Sequence, residues 1–204
     1  MSLSIEQVNA LKQAPAEGLL PVVAHRWSPR AFKDKPVSAN DLKIILEAAR
    51  WAASSSNLQP WRFLVGVKGS ETHSKIFETL VGFNQGWAGK AAVLILGAAE
   101  AKDAKGNPNH YAGYDLGQAS VSLILQATAL GLATHSMGGF DHDAARTAFN
   151  LTEDYVTGAV IAIGYQDEPA ALGNEQMIQR EIAPRERKPL SEIALTALGQ
   201  PLEL

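Results

Sequence analysis

The chain has no cysteine, so disulfides, thiolate nucleophiles and thiolate metal sites are excluded at the outset. It has no marked excess of either charge. The formal charge of -3 points neither to a nucleic-acid partner nor to an anionic membrane surface. Long apolar runs are also missing: the longest, around Val121 to Leu132, is broken by Ser122, Gln126 and Thr128 and is too short and mixed to span a bilayer. The first residues lack the basic start and apolar stretch of a signal peptide, so a cytoplasmic location is expected.

Several catalytic signatures are absent as well. No G-x-G-x-x-G follows a strand, which leaves a Rossmann dinucleotide site unsupported. Gly89-Lys90 is followed by Ala91, with Asn84 where a phosphate-binding loop needs Gly, and there is no G-x-S-x-G elbow. His25, His73, His110, His135 and His142 form no H-E-x-x-H or close pair, so no metal site is expected. Hard chemistry, if present, belongs to a cofactor.

What is there suits one sizeable core: 204 residues, nearly half of them apolar. Ser4 is positioned to cap a helix carrying Ile5, Val8 and Leu11. Ser38 and Asp41 resemble a capping box ahead of an apolar face of Leu42, Ile45, Leu46, Ala49 and Ala53. Residues 62–68, 92–98 and 156–164 read as buried strands, and 70–81 as a helix with Ile76, Phe77, Leu80 and Val81 inward. Asp141 caps a short predicted helix ending at Phe149. In the long helix predicted over 114–130, Leu116, Ala119, Leu123, Ala127 and Leu130 form one seam, while Val121, Ile124, Leu125 and Ala129 occupy other faces. The extra apolar face implies either central core or a subunit interface. Beyond Gln166 the prolines and mixed charges read either as a solvated tail or as an arm around a partner subunit. Strands alternating with helices indicate an α/β or α+β class.

Two polar segments stand out. In His25-Arg26-Trp27-Ser28-Pro29-Arg30-Ala31-Phe32, two guanidiniums flank a hydroxyl, a pattern suited either to gripping a phosphate or to a solvated charged stretch. Ser54-Ser55-Ser56-Asn57-Leu58-Gln59-Pro60-Trp61 follows the capped helix, as a capping loop or as a polar ligand contact. R-x-S-x-R-x-F followed by S-x-x-N-x-Q-P-W-x-F resembles the FMN-dependent nitroreductase family. Three further elements come in that family's order: Phe83-Asn84-Gln85-x-Trp87, His135-Ser136-Met137-Gly138-Gly139-Phe140, and Arg185-Glu186-Arg187-Lys188-Pro189-Leu190. The similarity runs from about residue 20 to residue 195.

The resemblance implies a nitroreductase-like α+β fold: a three-layer α/β/α sandwich around a central mixed, mainly antiparallel sheet, in an intertwined homodimer. Residues 1–204 would form a single FMN-binding domain, with 166–204 as a C-terminal arm. It implies an FMN site at the subunit interface, NADH or NADPH as reductant, and ping-pong reduction of small acceptors such as nitroaromatics or quinones. An enone or semialdehyde reductase, a reductive dehalogenase, or a flavin-binding protein without turnover are the alternatives. Residue by residue, it implies that Arg26, Ser28 and Arg30 contact the phosphate and ribityl chain, with the Trp27 backbone between them. Arg185 and Arg187 would close on the same phosphate. Ser54 and Asn57 would meet the ring and ribityl chain, Asn84 its pyrimidine edge, and Gly138 and Gly139 the flavin face. Tyr111 and Tyr114 are candidates either to cover the substrate mouth or to pack at the helix start. Two departures are visible: Ala53 where many members have Pro, and Gly138 where some have Glu, which prevents transfer of an acceptor from any one relative.

Overall fold

The computed structural model describes residues 3–203. A four-stranded sheet lies at its centre, in the order β1 (Trp61–Val67), β2 (Val93–Glu100), β4 (Tyr155–Gly164) and β3 (Ala133–Met137). All three pairings are antiparallel, so the mixed character expected of the sheet does not arise within one protomer among the described residues. The period of two separates two cores. Val93, Ile95, Ile161 and Ile163 face one way; Leu94, Leu96, Val160 and Ala162 face the other.

On the first face lie α6 (Ala112–Ala129) and, against it, α3 (Ala39–Arg50). Leu116, Ala119, Leu123 and Ala127 of the α6 seam are buried as the periodicity predicts, while Val121 and Ala129 face outward. The second face carries α4 (Glu71–Thr79), α5 (Gly82–Ala88), α7 (His142–Phe149) and α8 (Glu175–Ile182). The result is a three-layer α+β sandwich. Two short helices, α1 (Ile5–Lys12) and α2 (Pro21–His25), precede it, and a small hairpin of β5 (Leu195–Ala197) and β6 (Gln200–Pro201) follows.

Local capping explains most helix starts. Ser4 and Gln7 form a reciprocal capping box on α1. Ser38 accepts the Asp41 N–H at 3.0 Å, but only this half of the expected box forms, because Asp is one methylene shorter than Glu. Asp141 accepts the N–H groups of Asp143 and Ala144. Three sequence readings change. Ala53 lies beyond the end of α3 and is exposed, since the chain leaves helical geometry after Arg50. Val81 is exposed because α4 stops at Thr79, and Leu80 turns the chain so that Val81 becomes the N-cap of α5. Residues 166–182 are no solvated tail: Met177 packs into the second core and Glu181 is buried.

Candidate functional site

The chain after α2 runs across the sheet's rim, where Lys33 N–H donates to Tyr165 O and Asp167 N–H to Ala31 O. This anchors the R-x-S-x-R segment between α2 and β4. Arg26 is half-buried, and its Nη1 reaches Ser28 Oγ at 3.5 Å. Arg185 comes to the same place from far along the chain, donating through Nη1 to Arg26 O at 2.5 Å and through Nη2 to Ala24 O at 3.2 Å. Burial and then the nearby Arg187 charge push the Arg26 guanidinium below its usual range. Burial, Arg187 and Arg26 do the same for Arg185. None of the three makes an ion pair among the described residues. Three cations held together without a carboxylate leave a local positive charge that an anion would offset.

Arg30 is placed differently. Its Nη1 lies 3.5 Å from Glu181 Oε2, and its main-chain N–H and that of Ala31 donate to Glu181 Oε1 at 2.7 and 3.1 Å. Burial raises the Glu181 carboxyl above the usual carboxylate range, against those two donors and the Arg30 and Lys12 charges. The Trp27 side chain is buried, with Nε1 donating to Asn9 at 2.8 Å. Ahead of Arg30, Pro29 O lies 3.0 Å from His135 Nδ1, and the His135 ring tilts against Trp87. Burial, with help from Arg30 and Arg26, lowers the His135 pKa to about 4, so the ring is neutral and its Nδ1–H donates to Pro29. A cleft of about 460 Å³ opens beside Arg26, lined also by Glu6, Asn9, Thr128 and Gly131.

From Arg30 the line of groups continues to Asn84. The Arg30 guanidinium sits 5.9 Å from the Phe83 ring centroid, and the adjacent Asn84, nearly buried, donates through Nδ2 to Gly139 O at 2.9 Å. A Cβ at Gly139 would come within 2.9 Å of that amide, whereas one at Gly138 would meet nothing within 4 Å. One protomer therefore brings Arg26, Ser28, Arg185 and Arg187 together, and leads through Arg30 and Phe83 to Asn84, Gly138 and Gly139.

It does not bring Ser54 and Asn57 there. Ser54 Oγ accepts the Gln59 N–H at 3.0 Å, and Ser55 N–H donates to Asp115 Oδ2 at 3.1 Å in the first turn of α6. The Arg26 cleft is lined by Thr128 and Gly131 at the other end of that 18-residue helix, which spans about 27 Å. The loop is strained, with Ser56, Asn57 and Gln59 at φ of 50, 55 and 50°. Tyr111 and Tyr114 are exposed at the same end of α6 as this loop. Sequence reasoning missed Asp115 and Glu181. Asp115 had a signal, a lone carboxylate in i, i+4 register with Ala119, Leu123 and Ala127 on the buried seam.

These features describe an α+β protein whose sheet rim gathers Arg26, Arg185 and Arg187 with no carboxylate paired to them among the described residues. The chain belongs to the nitroreductase family, whose model matches residues 23–165. A solved structure described as an oxidoreductase containing FMN has a TM-score of 0.85 and 33% identity, covering 94% of this chain and 97% of its own. A 15.4 kDa protein of Mycolicibacterium smegmatis is 34% identical over 150 residues, 69% of this chain and 99% of its own. A protein of Archaeoglobus fulgidus named "Putative NADH dehydrogenase/NAD(P)H nitroreductase" is 29% identical over 153 residues, 73% of this chain and 86% of its own.

Proposed function

We propose that this protein is an FMN-dependent oxidoreductase that uses NADH or NADPH to reduce small electrophilic acceptors such as nitroaromatics or quinones. The observation that carries the reading is the convergence of Arg26, Arg185 and Arg187, with residues 159 positions apart in direct contact and no carboxylate pairing them among the described residues. Arg26 and Arg185 are partly buried and Arg187 is exposed beside them; like charges so placed are costly unless a ligand supplies the opposite charge, and a monophosphate fits that demand. The chemistry supplied by bound FMN is ping-pong transfer of reducing equivalents from the nicotinamide to the acceptor.

The chain's own residues bind and orient. Arg26, Ser28 and Arg187 hold the phosphate by charge-assisted hydrogen bonds. Asn84, its Nδ2 committed to Gly139 O, offers Oδ1 toward the ring's pyrimidine edge. Gly138 leaves open space for close approach over the ring. Because Ser54 and Asn57 sit at the far end of α6, a second copy supplies them, and the site is completed only in a homodimer. The exposed Tyr114 and Val121 of α6 and Trp51 at the end of α3 give that dimer an apolar face. In this reading residues 1–204 form one FMN-binding domain. The stretch 166–204, with Leu190, Ile193 and Leu198 exposed, is the arm that embraces the partner. Tyr111 and Tyr114 flank the acceptor's entrance.

The visible spectrum of freshly purified protein tests the cofactor, with chromatography of the flavin released on denaturation. FMN at about one per protomer is expected. A colourless protein that fails to take up added FMN would overturn the reading. Steady-state oxidation of NADH and NADPH against nitroaromatics, quinones and conjugated enals then distinguishes the proposed reaction from the other flavoenzyme activities.

A further inference from the structure

The two anchors that join the C-terminal arm to the arginine loop use side chains differently from Arg26 and Arg187. Both terminal nitrogens of Arg185 are directed at main-chain carbonyls, Arg26 O at 2.5 Å and Ala24 O at 3.2 Å. Ala24 lies in the last turn of α2, and its O also accepts the Ala14 N–H at 3.0 Å, so the guanidinium adds a second donor there while it grips the Arg26 carbonyl. Four residues earlier in the arm, the Glu181 carboxylate takes the N–H groups of Arg30 and Ala31 at 2.7 and 3.1 Å and is only 1% exposed. Lys12 of α1 adds a third tie, donating to Ala183 O while its Nζ lies 4.8 Å from the centre of the Trp27 ring. The arm thus holds the main chain of 24–31 at both ends, and Ser28 lies between the two grips.

We propose that Arg185 and Glu181 are positioning residues that clamp the 24–31 main chain in the shape presenting Arg26 and Ser28 to the phosphate, with neither serving as a phosphate ligand. The inference rests on the FMN reading above. It separates Arg185 from Arg187, whose Nη1 donates to the adjacent Glu186 O and whose other donors make no hydrogen bond among the described residues, leaving them available to a ligand. A fork that spans two carbonyls cannot be replaced by a single ammonium, whereas an electrostatic ligand largely can.

The test measures FMN affinity by flavin fluorescence quenching, and hydrogen exchange of the full flavin-free chain, for wild type, Arg185→Lys, Glu181→Gln and Glu181→Ala. Arg185→Lys retains the charge but loses the fork; it is expected to weaken FMN binding about tenfold and to speed exchange across 24–31. Glu181→Gln keeps a carbonyl-type acceptor and is expected to stay within about threefold of wild type, while Glu181→Ala loses about tenfold. If Glu181→Ala fails to fold, Arg185→Lys and Glu181→Gln still decide the matter. Wild-type affinity in Arg185→Lys, or unchanged exchange across 24–31, would overturn the clamp. Absence of FMN binding by wild type, with the exchange differences intact, would instead overturn the flavin reading and support the clamp as a fold element.

Discussion

Asp115, 1% exposed in the first turn of α6, accepts the main-chain N–H of Ser55 at 3.1 Å and so ties the strained 54–59 loop to the central helix. Removing the acceptor leaves a part-buried N–H unsatisfied, a loss of about 1 kcal/mol. Asp115→Ala should therefore lower stability by that amount in urea denaturation and weaken FMN binding, because Ser54 and Asn57 lose their fixed positions. Asp115→Asn retains an acceptor and should recover most of both losses.

The arginine site makes a direct prediction. Arg26→Ala and Arg187→Ala each remove a charge-assisted contact worth roughly 1.5–3 kcal/mol, and titration of flavin-free protein with FMN should show the corresponding loss of affinity. Thermal melting of the flavin-free variants should stay near wild type, since neither guanidinium makes an ion pair with a carboxylate among the described residues. Both variants retaining full FMN affinity would remove these residues from the phosphate site.

Neighbouring glycines should behave oppositely. Gly139→Ala drives its Cβ to 2.9 Å from Asn84 Nδ2 and 3.1 Å from Val81 Cγ2, so a stability loss of about 1–3 kcal/mol is expected in melting experiments. Gly138→Ala points into open space and should fold normally, yet bind FMN more weakly if the ring closes over this turn. Flavin content at equal folded protein distinguishes the pair.

His135 gives the fold a pH dependence. Its ordinary value of 6.5 falls to about 4 in the folded protein, through burial first and then the Arg30 and Arg26 charges. Between these values the unfolded chain binds the proton and the folded one does not. Stability is thus complete above about pH 6.5 and declines as pH falls toward 4, by up to roughly 3 kcal/mol. Urea denaturation at pH 7.5 and 4.5 measures the decline, and His135→Gln should flatten this contribution.

The proposed subunit contact is open to a surface change. Val121 is 48% exposed on the outward face of α6, so Val121→Arg should leave the protomer folded. It is expected to shift the protein to monomer in light scattering and to release FMN, because Ser54 and Asn57 then have no partner site. A Val121→Arg monomer that still binds FMN stoichiometrically would show that one chain holds the whole site.

The seam of α6, the caps at Ser4, Ser38 and Asp141, and the strands β1, β2 and β4 were legible because each depends on residues close in sequence; β3, whose Thr134, His135 and Ser136 interrupt its apolar run, was not. Helix α5 was not: Gly82 and Gly86 are poor helix formers, and its start at Val81 has no side-chain cap. The motifs around Arg26, Ser54, Asn84 and Gly138 were visible as residue types, but not their distribution, with Ser54 and Asn57 at one end of a long helix and Arg26 at the other. Glu181 was hidden in a segment of dense charge, since what buries it is a loop 150 residues earlier.

By itself the amino-acid order determined the buried faces of α6, α3 and the strands β1, β2 and β4, and where most helices begin, because periodicity and capping are local. Only the tertiary structure decided which guanidinium meets a carboxylate and which is left for a ligand. That choice depends on through-space distance and desolvation, and Arg30, Arg185 and Arg187 look alike until Glu181 and the carbonyls of Ala24 and Arg26 stand beside them.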